Sequence, residues 1–179
     1  MQARSPAPAR QCGLVLLEVL VAGCVLALLA ALAAPSFAAV SERLKVRTAV
    51  DSLSASLYAA RAEALKRGGY VSLSKDSGAD CQGTLGWSCG WTAFVDDDED
   101  GRRDDGEELL FIEQPPPGIE ITQTRKLSVL KLNAWGQFNG LGALGFVLRS
   151  RASAKAVSVI CISSGGRLQS WFGEEECPG

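Results

Sequence analysis

The densest group of chemistry-bearing side chains in this sequence is "DDDEDGRRDDGE", residues 96–107. Asp96, Asp98, Asp100, Asp104 and Glu107 are spaced around Gly101 as in D-x-D-x-D-G-x5-E, the pattern of a calcium loop. Hard oxygen ligands at alternate positions and a glycine turn are what Ca²⁺ coordination requires. The flanking stretches "TAFV" and "LLFIE" read as strands, however, not as the helices of an EF-hand. A solvated acidic turn inside a hairpin is the plainer reading. Calcium is the one cofactor with a ligand pattern in the chain, and nothing in the sequence demands a cofactor.

Catalysis has little to work with. The chain contains no histidine, the commonest general base and metal ligand. It also lacks the G-x-S-x-G elbow, the phosphate-binding P-loop and the H-E-x-x-H zinc motif. Together these absences point away from an enzyme. Six cysteines are present: Cys12 and Cys24 lie before or within a long apolar run, and Cys81, Cys89, Cys161 and Cys177 follow it. Their spacing does not suit zinc, and an even number after the run suits disulfides in an oxidising compartment. Cys81–Cys89 and Cys161–Cys177 are the expected pairs because each closes a short loop. Four cysteines allow three pairings, and four reduced thiols are the competing reading.

The apolar run carries one acid. Nineteen of the twenty-one residues from Leu14 to Ala34 are apolar, the exceptions being Glu18 and Gly23. That length spans a bilayer core of roughly 30 Å, yet a carboxylate at membrane depth costs about 2.5–3.5 kcal/mol on insertion scales. A secretory signal peptide cut at an A-x-A site over Ala31–Ala33 would explain the run but not Glu18. The other reading places the processing site before the run, at Gly13. "GLVLLE" at Gly13–Glu18 resembles the type IV prepilin motif, in which a peptidase cuts after the glycine and the new first residue is N-methylated. Glu18 then falls at the fifth mature position and Pro35 at the twenty-second, where such pilins carry glutamate and often proline. Leu14 replaces the usual phenylalanine at the first. In that family the glutamate pairs with the N-terminal amine of a neighbouring subunit, so the resemblance implies that Glu18 acts in assembly. Arg4 and Arg10 precede the run, which leaves a leader on the cytoplasmic side and the remainder outside.

Two further stretches narrow the resemblance. "GWTAFVDDDEDGRRDDGEELL", residues 90–110, is similar to the acidic signature of the GspH/FimT group of minor pilins and pseudopilins, and "SSGGRLQSW", residues 163–171, resembles the C-terminal strand of that group. Gln169 stands where the group has a second arginine. Net charge is −2, becoming −4 without Arg4 and Arg10, so nucleic-acid binding cannot be argued from overall charge. Arg149, Arg151, Lys155 and Arg167 could form a local basic patch for phosphates. The resemblance implies a DNA role for such a C-terminal region and singles out Arg167, whereas scattered solubilising charge is the ordinary explanation. Trp87, Trp91, Trp135 and Trp171 could stack on bases, but packing is the usual use of tryptophan.

These residues need elements to hold them. From Pro35 to Arg67 the pattern is helical, with Leu53, Leu57, Ala60, Ala64 and Leu65 spaced for one face and Gly68-Gly69 as the stop. From Tyr70 onward, eight short alternating stretches separated by Gly, Pro and Asp read as strands: "YVSLS", "GWTAFVD", "ELLFIE", "IEITQT", "LSVLKLNA", "LGFVLRS", "AVSVICIS" and "RLQSWF". The expected fold is α+β, a long N-terminal helix packed on a mostly antiparallel sheet head. The expected organisation is a leader over 1–13, a transmembrane and filament-core helix over 14–34, an amphipathic helix over 35–67 and a β-rich periplasmic head over 70–179. The implied partners are other pilin or pseudopilin subunits, a prepilin peptidase, the inner membrane and, on the DNA reading, DNA. The implied role is structural, in a pilus or a type II secretion pseudopilus.

Overall fold

The computed structural model describes residues 12–76, 86–138, 144–163 and 165–178, with side chains described from Leu16 and not over 32–35. One long helix, α1 (Cys12–Arg67), is followed by β1 (Val71–Lys75), a short 3₁₀ turn at Trp87–Cys89, β2 (Trp91–Val95), β3 (Leu109–Glu113), β4 (Ile119–Gln123), β5 (Val129–Leu132), β6 (Leu144–Ser150), β7 (Val157–Ile162) and β8 (Leu168–Phe172). The class is α+β, with every strand pairing antiparallel. The chain divides into two compact units, one ending at Ala38 and one beginning at Ala39.

In the first unit the helix shows apolar side chains on all sides. Leu16, Leu17, Val19, Leu20, Val21, Val25, Leu26, Leu28 and Leu29 are all exposed, and no residue of its most apolar window is buried within the chain. It is long and apolar enough to cross a membrane.

In the second unit α1 buries a stripe: Val46, Ala49, Val50, Leu53, Leu57, Ala60 and Ala64. Their three- and four-residue steps keep one face inward. Leu65, expected on that face from its spacing, is instead 53% exposed; one residue beyond Ala64 it is turned about 100° away. The helix ends where the glycines were expected to stop it. Gly68 takes a left-handed φ of 83°, and the amides of Gly68 and Gly69 both donate to the Ala64 carbonyl, at 2.9 and 2.8 Å.

The strands make two four-stranded sheets rather than one, in the orders β3-β2-β1-β5 and β4-β6-β7-β8. The chain leaves the first sheet through the Gln114–Gly118 segment, whose three prolines lack the N–H a ladder needs. It returns for β5 and leaves again for β6. Alternate residues point into a single core: Leu73 of β1, Trp91 and Ala93 of β2, Ile121 of β4, Leu130 of β5, Phe146 and Leu148 of β6 and Ile160 of β7, all against Leu53 and Leu57 of the helix. Each such large side chain contributes roughly 1.5–3 kcal/mol on full burial. Trp87 meets Phe146 edge-on, with ring centres 5.0 Å apart.

Candidate functional site

Glu18 lies in the first unit, exposed, amid the apolar surface of α1. Among the described residues no cation pairs with it. Gly13 and Leu14 fall within the same helix. What the segment offers is an unmatched carboxylate on an uncovered apolar rod, which nothing else among the described residues satisfies.

The acidic loop joins β2 to β3. Asp96, at the end of β2, is 1% exposed. Its carboxylate accepts from the Ser72 hydroxyl and from the Gly101 amide at 3.1–3.2 Å, and its own amide donates to the Tyr70 carbonyl at 2.8 Å. Glu107 accepts from the amides of Asp97 and Asp104 at 3.0 and 2.8 Å. Asp98 and Asp100 accept from the amides of Asp100 and Arg102 at 3.1 and 2.6 Å. Lys131 of β5 donates to the Glu99 carbonyl. Carboxylate oxygens of Asp96, Asp98 and Glu107, and separately of Asp98, Asp100 and Asp104, approach within 4.8 Å of one another. The spacing read as a calcium loop therefore does gather its acids. Most donors to these carboxylates among the described residues are the loop's own backbone amides, as in the Asx turns that short acids favour, with the Ser72 hydroxyl added at Asp96.

The base of that loop is tied to the helix. Arg67, in the last turn of α1, grips Glu108 with two nitrogens at 2.8 and 2.9 Å and reaches back to Glu63 at 3.0 Å. The hydrogen bonds from Arg67 hold both carboxyls below the usual range and raise the arginine further. Farther back along α1, Glu42 accepts from Lys45 at 2.7 Å and from the Ser150 hydroxyl at 2.6 Å, and these bonds, with Lys45 the larger cause, lower its pKa. Sequence reading missed the ties to Glu108 and Ser150 because each joins residues distant in the chain.

The four basic residues expected to form one patch are not brought together. Arg149 lies near the end of β6 and Arg151 and Lys155 occupy the turn before β7, whereas Arg167 lies in the turn after it. The six residues of β7 separate the two groups by about 17 Å or more. Arg149 also pairs with Glu175 at 2.9 Å. Arg167 donates to the side-chain oxygen of Gln169 at 3.3 Å. Arg61 of α1 donates to the Gly166 carbonyl at 3.0 Å, and a side chain placed on Gly166 would stand 3.6 Å from the Gly136 carbonyl. Next to Gly136, Trp135 is 73% exposed, whereas Trp87 and Trp91 are buried in the core and Trp171 is half-buried.

A disulfide joins Cys161 to Cys177, with Cα atoms 5.8 Å apart. It fastens the tail over β6 at Gly145, the partner of Cys161 across the ladder, where a Cβ would come 3.1 Å from the Cys177 sulfur. Cys89 is also disulfide-bonded. Its expected partner, Cys81, lies outside the described residues. Cys24 is free and exposed.

A long N-terminal helix and antiparallel sheets with a disulfide-fastened tail define a pilin fold, and known proteins agree. The family model for the type II transport protein GspH matches residues 49–166. The chain belongs to the GspH family. Among solved structures it is similar to the type IV minor pilin FimU of Pseudomonas aeruginosa in two crystal forms. One has a TM-score of 0.56 at 20% identity, covering 72% of this chain and 90% of that one. The other has a TM-score of 0.54 at 19% identity, covering 71% and 93%. At those identities the likeness concerns the fold. No curated protein matches the sequence.

Proposed function

We propose that this chain is a minor pilin or pseudopilin, a non-enzymatic structural subunit of a pilus or a type II secretion pseudopilus. A prepilin peptidase cuts it between Gly13 and Leu14, and residues 14–34 anchor it in the inner membrane with residues 70–179 as a periplasmic head. It then joins other subunits through its N-terminal helix. One observation carries this reading: among the described residues Glu18 stands without a cationic partner, on a stretch of helix whose apolar surface none of them covers. Removal of the first thirteen residues would place a free amine four residues from that carboxylate and give each subunit both halves of an intersubunit pair. The test is Glu18→Ala expressed beside the wild-type chain. Insertion into the membrane should be unchanged or improved, and recovery in sheared filaments or cross-linked subunit complexes should fall. Equal recovery of both forms removes the pairing role, and a mature N-terminus at Ala34 or Pro35 removes the pilin reading.

A second reading, a DNA-binding minor pilin acting in DNA uptake, draws support from the turn that holds Arg167. Arg61 lies against Gly166 of that turn and against Gly136, the neighbour of the exposed Trp135, so cations and a stacking surface occur on adjoining turns, a pairing suited to phosphates and unpaired bases. A salt-dependent affinity for DNA lost in both Arg167→Ala and Trp135→Ala supports it. An affinity unchanged by both removes it.

A further inference from the structure

A groove of about 500 Å³ opens in the second unit between α1 and the start of β7. Its floor includes Val40 and Leu44 of the helix and Phe172 at the end of β8, and three cations line it: Arg43, Arg47 and Lys155. Val40, Leu44 and Phe172 are each about half exposed, over the buried Val46, Ala156 and Val157, so the floor is open to an occupant. Arg47 lies with its guanidinium carbon 5.3 Å from the centre of the Phe172 ring, fixing one cation over the floor. Arg43 and Arg47 are four residues apart on one helix, a spacing at which like charges repel. Among the described residues neither they nor Lys155 has a carboxylate partner. The nearby acids are engaged elsewhere, Glu42 with Lys45 and Ser150 and Glu175 with Arg149.

The position of these charges runs against what orients a membrane span. Arg43, Lys45 and Arg47 follow the apolar run closely, on the side opposite to Arg4 and Arg10. Cations are favoured on the cytoplasmic side, yet the disulfide puts this head on the oxidising side. Arg43 and Arg47 stand there without a carboxylate partner among the described residues. Val40 is six residues beyond Ala34, so the groove begins no more than about 20 Å of chain from the end of the run.

We propose that this groove holds an anionic phospholipid of the outer leaflet. Arg43, Arg47 and Lys155 bind its phosphate, and Val40, Leu44 and Phe172 take the first part of an acyl chain. Arginine suits the task because its planar fork binds two phosphate oxygens at once. An acidic peptide would match the charge, but the lipid matches charge, apolar floor and reach together, and it is at hand before any other subunit arrives. The proposal rests on the reading of the chain as a membrane-anchored subunit, and it gives the head a seat on the bilayer that assembly into a filament must release.

The full chain in a zwitterionic detergent is titrated with phosphatidylglycerol and, separately, with phosphatidylcholine, and bound lipids are counted by native mass spectrometry. At about fivefold per juxtamembrane cation, the wild type should prefer phosphatidylglycerol by at least tenfold. Arg43→Gln/Arg47→Gln/Lys155→Gln should abolish the preference, whereas Arg43→Lys/Arg47→Lys should retain part of it. Arg125→Gln/Lys126→Gln, elsewhere on the head, should retain it all. Near-ultraviolet circular dichroism checks that each variant is folded. Equal binding of the two lipids by the wild type overturns the proposal, as does a preference that survives the triple substitution. Full displacement by millimolar inorganic phosphate assigns the site to a free anion and overturns it as well. A separate liposome arm tells the two readings apart. Failure of the chain to insert refutes the anchor itself, whereas insertion without lipid preference refutes only the groove.

Discussion

Asp96→Ala is the most informative single change in the head. The side chain is 1% exposed and accepts from two donors, the Ser72 hydroxyl and the Gly101 amide, of which Ser72 is itself 1% exposed. Truncation leaves a buried hydroxyl without its acceptor, at a cost of about 1–3 kcal/mol, and removes a charge-assisted bond that orders the loop, a further ~1 kcal/mol or more. Relief from keeping a carboxylate buried returns part of this. The expected net loss is about 2–4 kcal/mol, which at roughly 4 °C per kcal/mol lowers the melting temperature by some 8–16 °C. Asp96→Asn keeps an acceptor oxygen and should lose about half as much. The assay is thermal melting of the detergent-solubilised full chain followed by near-ultraviolet circular dichroism, since all four tryptophans lie beyond residue 86. Melts are run with a chelator and with millimolar Ca²⁺. If backbone amides close the loop, each protein melts at the same temperature in both solutions. A variant within about 0.5 kcal/mol of wild type would refute the reasoning, since that is the range of ordinary surface substitutions. A calcium-dependent rise seen only in wild type would show instead that the clustered oxygens serve a cation.

Leu57→Ala, at a core position with 0% exposure, should cost about 2–5 kcal/mol in the same melt, whereas Leu65→Ala should fall within about 0.5 kcal/mol of wild type. Cys161→Ser/Cys177→Ser should lose about 3 kcal/mol for cysteines at a sequence separation of 16 and become insensitive to reductant at that site; peptide mapping that finds both thiols free in the wild type would contradict the tail's attachment to β7. Acid should weaken the tie between α1 and the start of β3. Glu63 and Glu108 have folded-state pKa values below their unfolded ones, so their contribution is present above about pH 4.5 and is lost as pH falls through the lowered values. Arg67→Ala should flatten that part of the stability–pH curve, and a slope unchanged by the substitution would assign it to other carboxyls.

Much of this molecule is legible in the sequence because its signals are local. Eight alternating stretches become eight strands, the Gly68-Gly69 stop ends the helix, and the run containing Glu18 declares itself by length and composition alone. Leu53, Leu57, Ala60 and Ala64 of the inward stripe are legible too, but not its first turn at Val46, Ala49 and Val50, nor Leu65, where spacing admits two adjacent residues and only the position of the sheets decides between them. Which strands share a sheet could not be read. Alternation marks a buried face but not a partner, so the division into two sheets, with the chain crossing between them around the proline segment, is decided by packing over long sequence separations. The same holds for charge. Arg149, Arg151, Lys155 and Arg167 look like one patch along the chain, but β7 parts them, because a strand carries its two flanking turns to opposite ends of a sheet. The reverse happens at Arg43, Arg47 and Lys155. More than a hundred residues separate the helix from the β6–β7 turn in sequence, and only the tertiary fold sets these cations around one apolar floor. Local chemistry needs only neighbours in the chain, and a site assembled from several elements exists only once the core has fixed where each element lies.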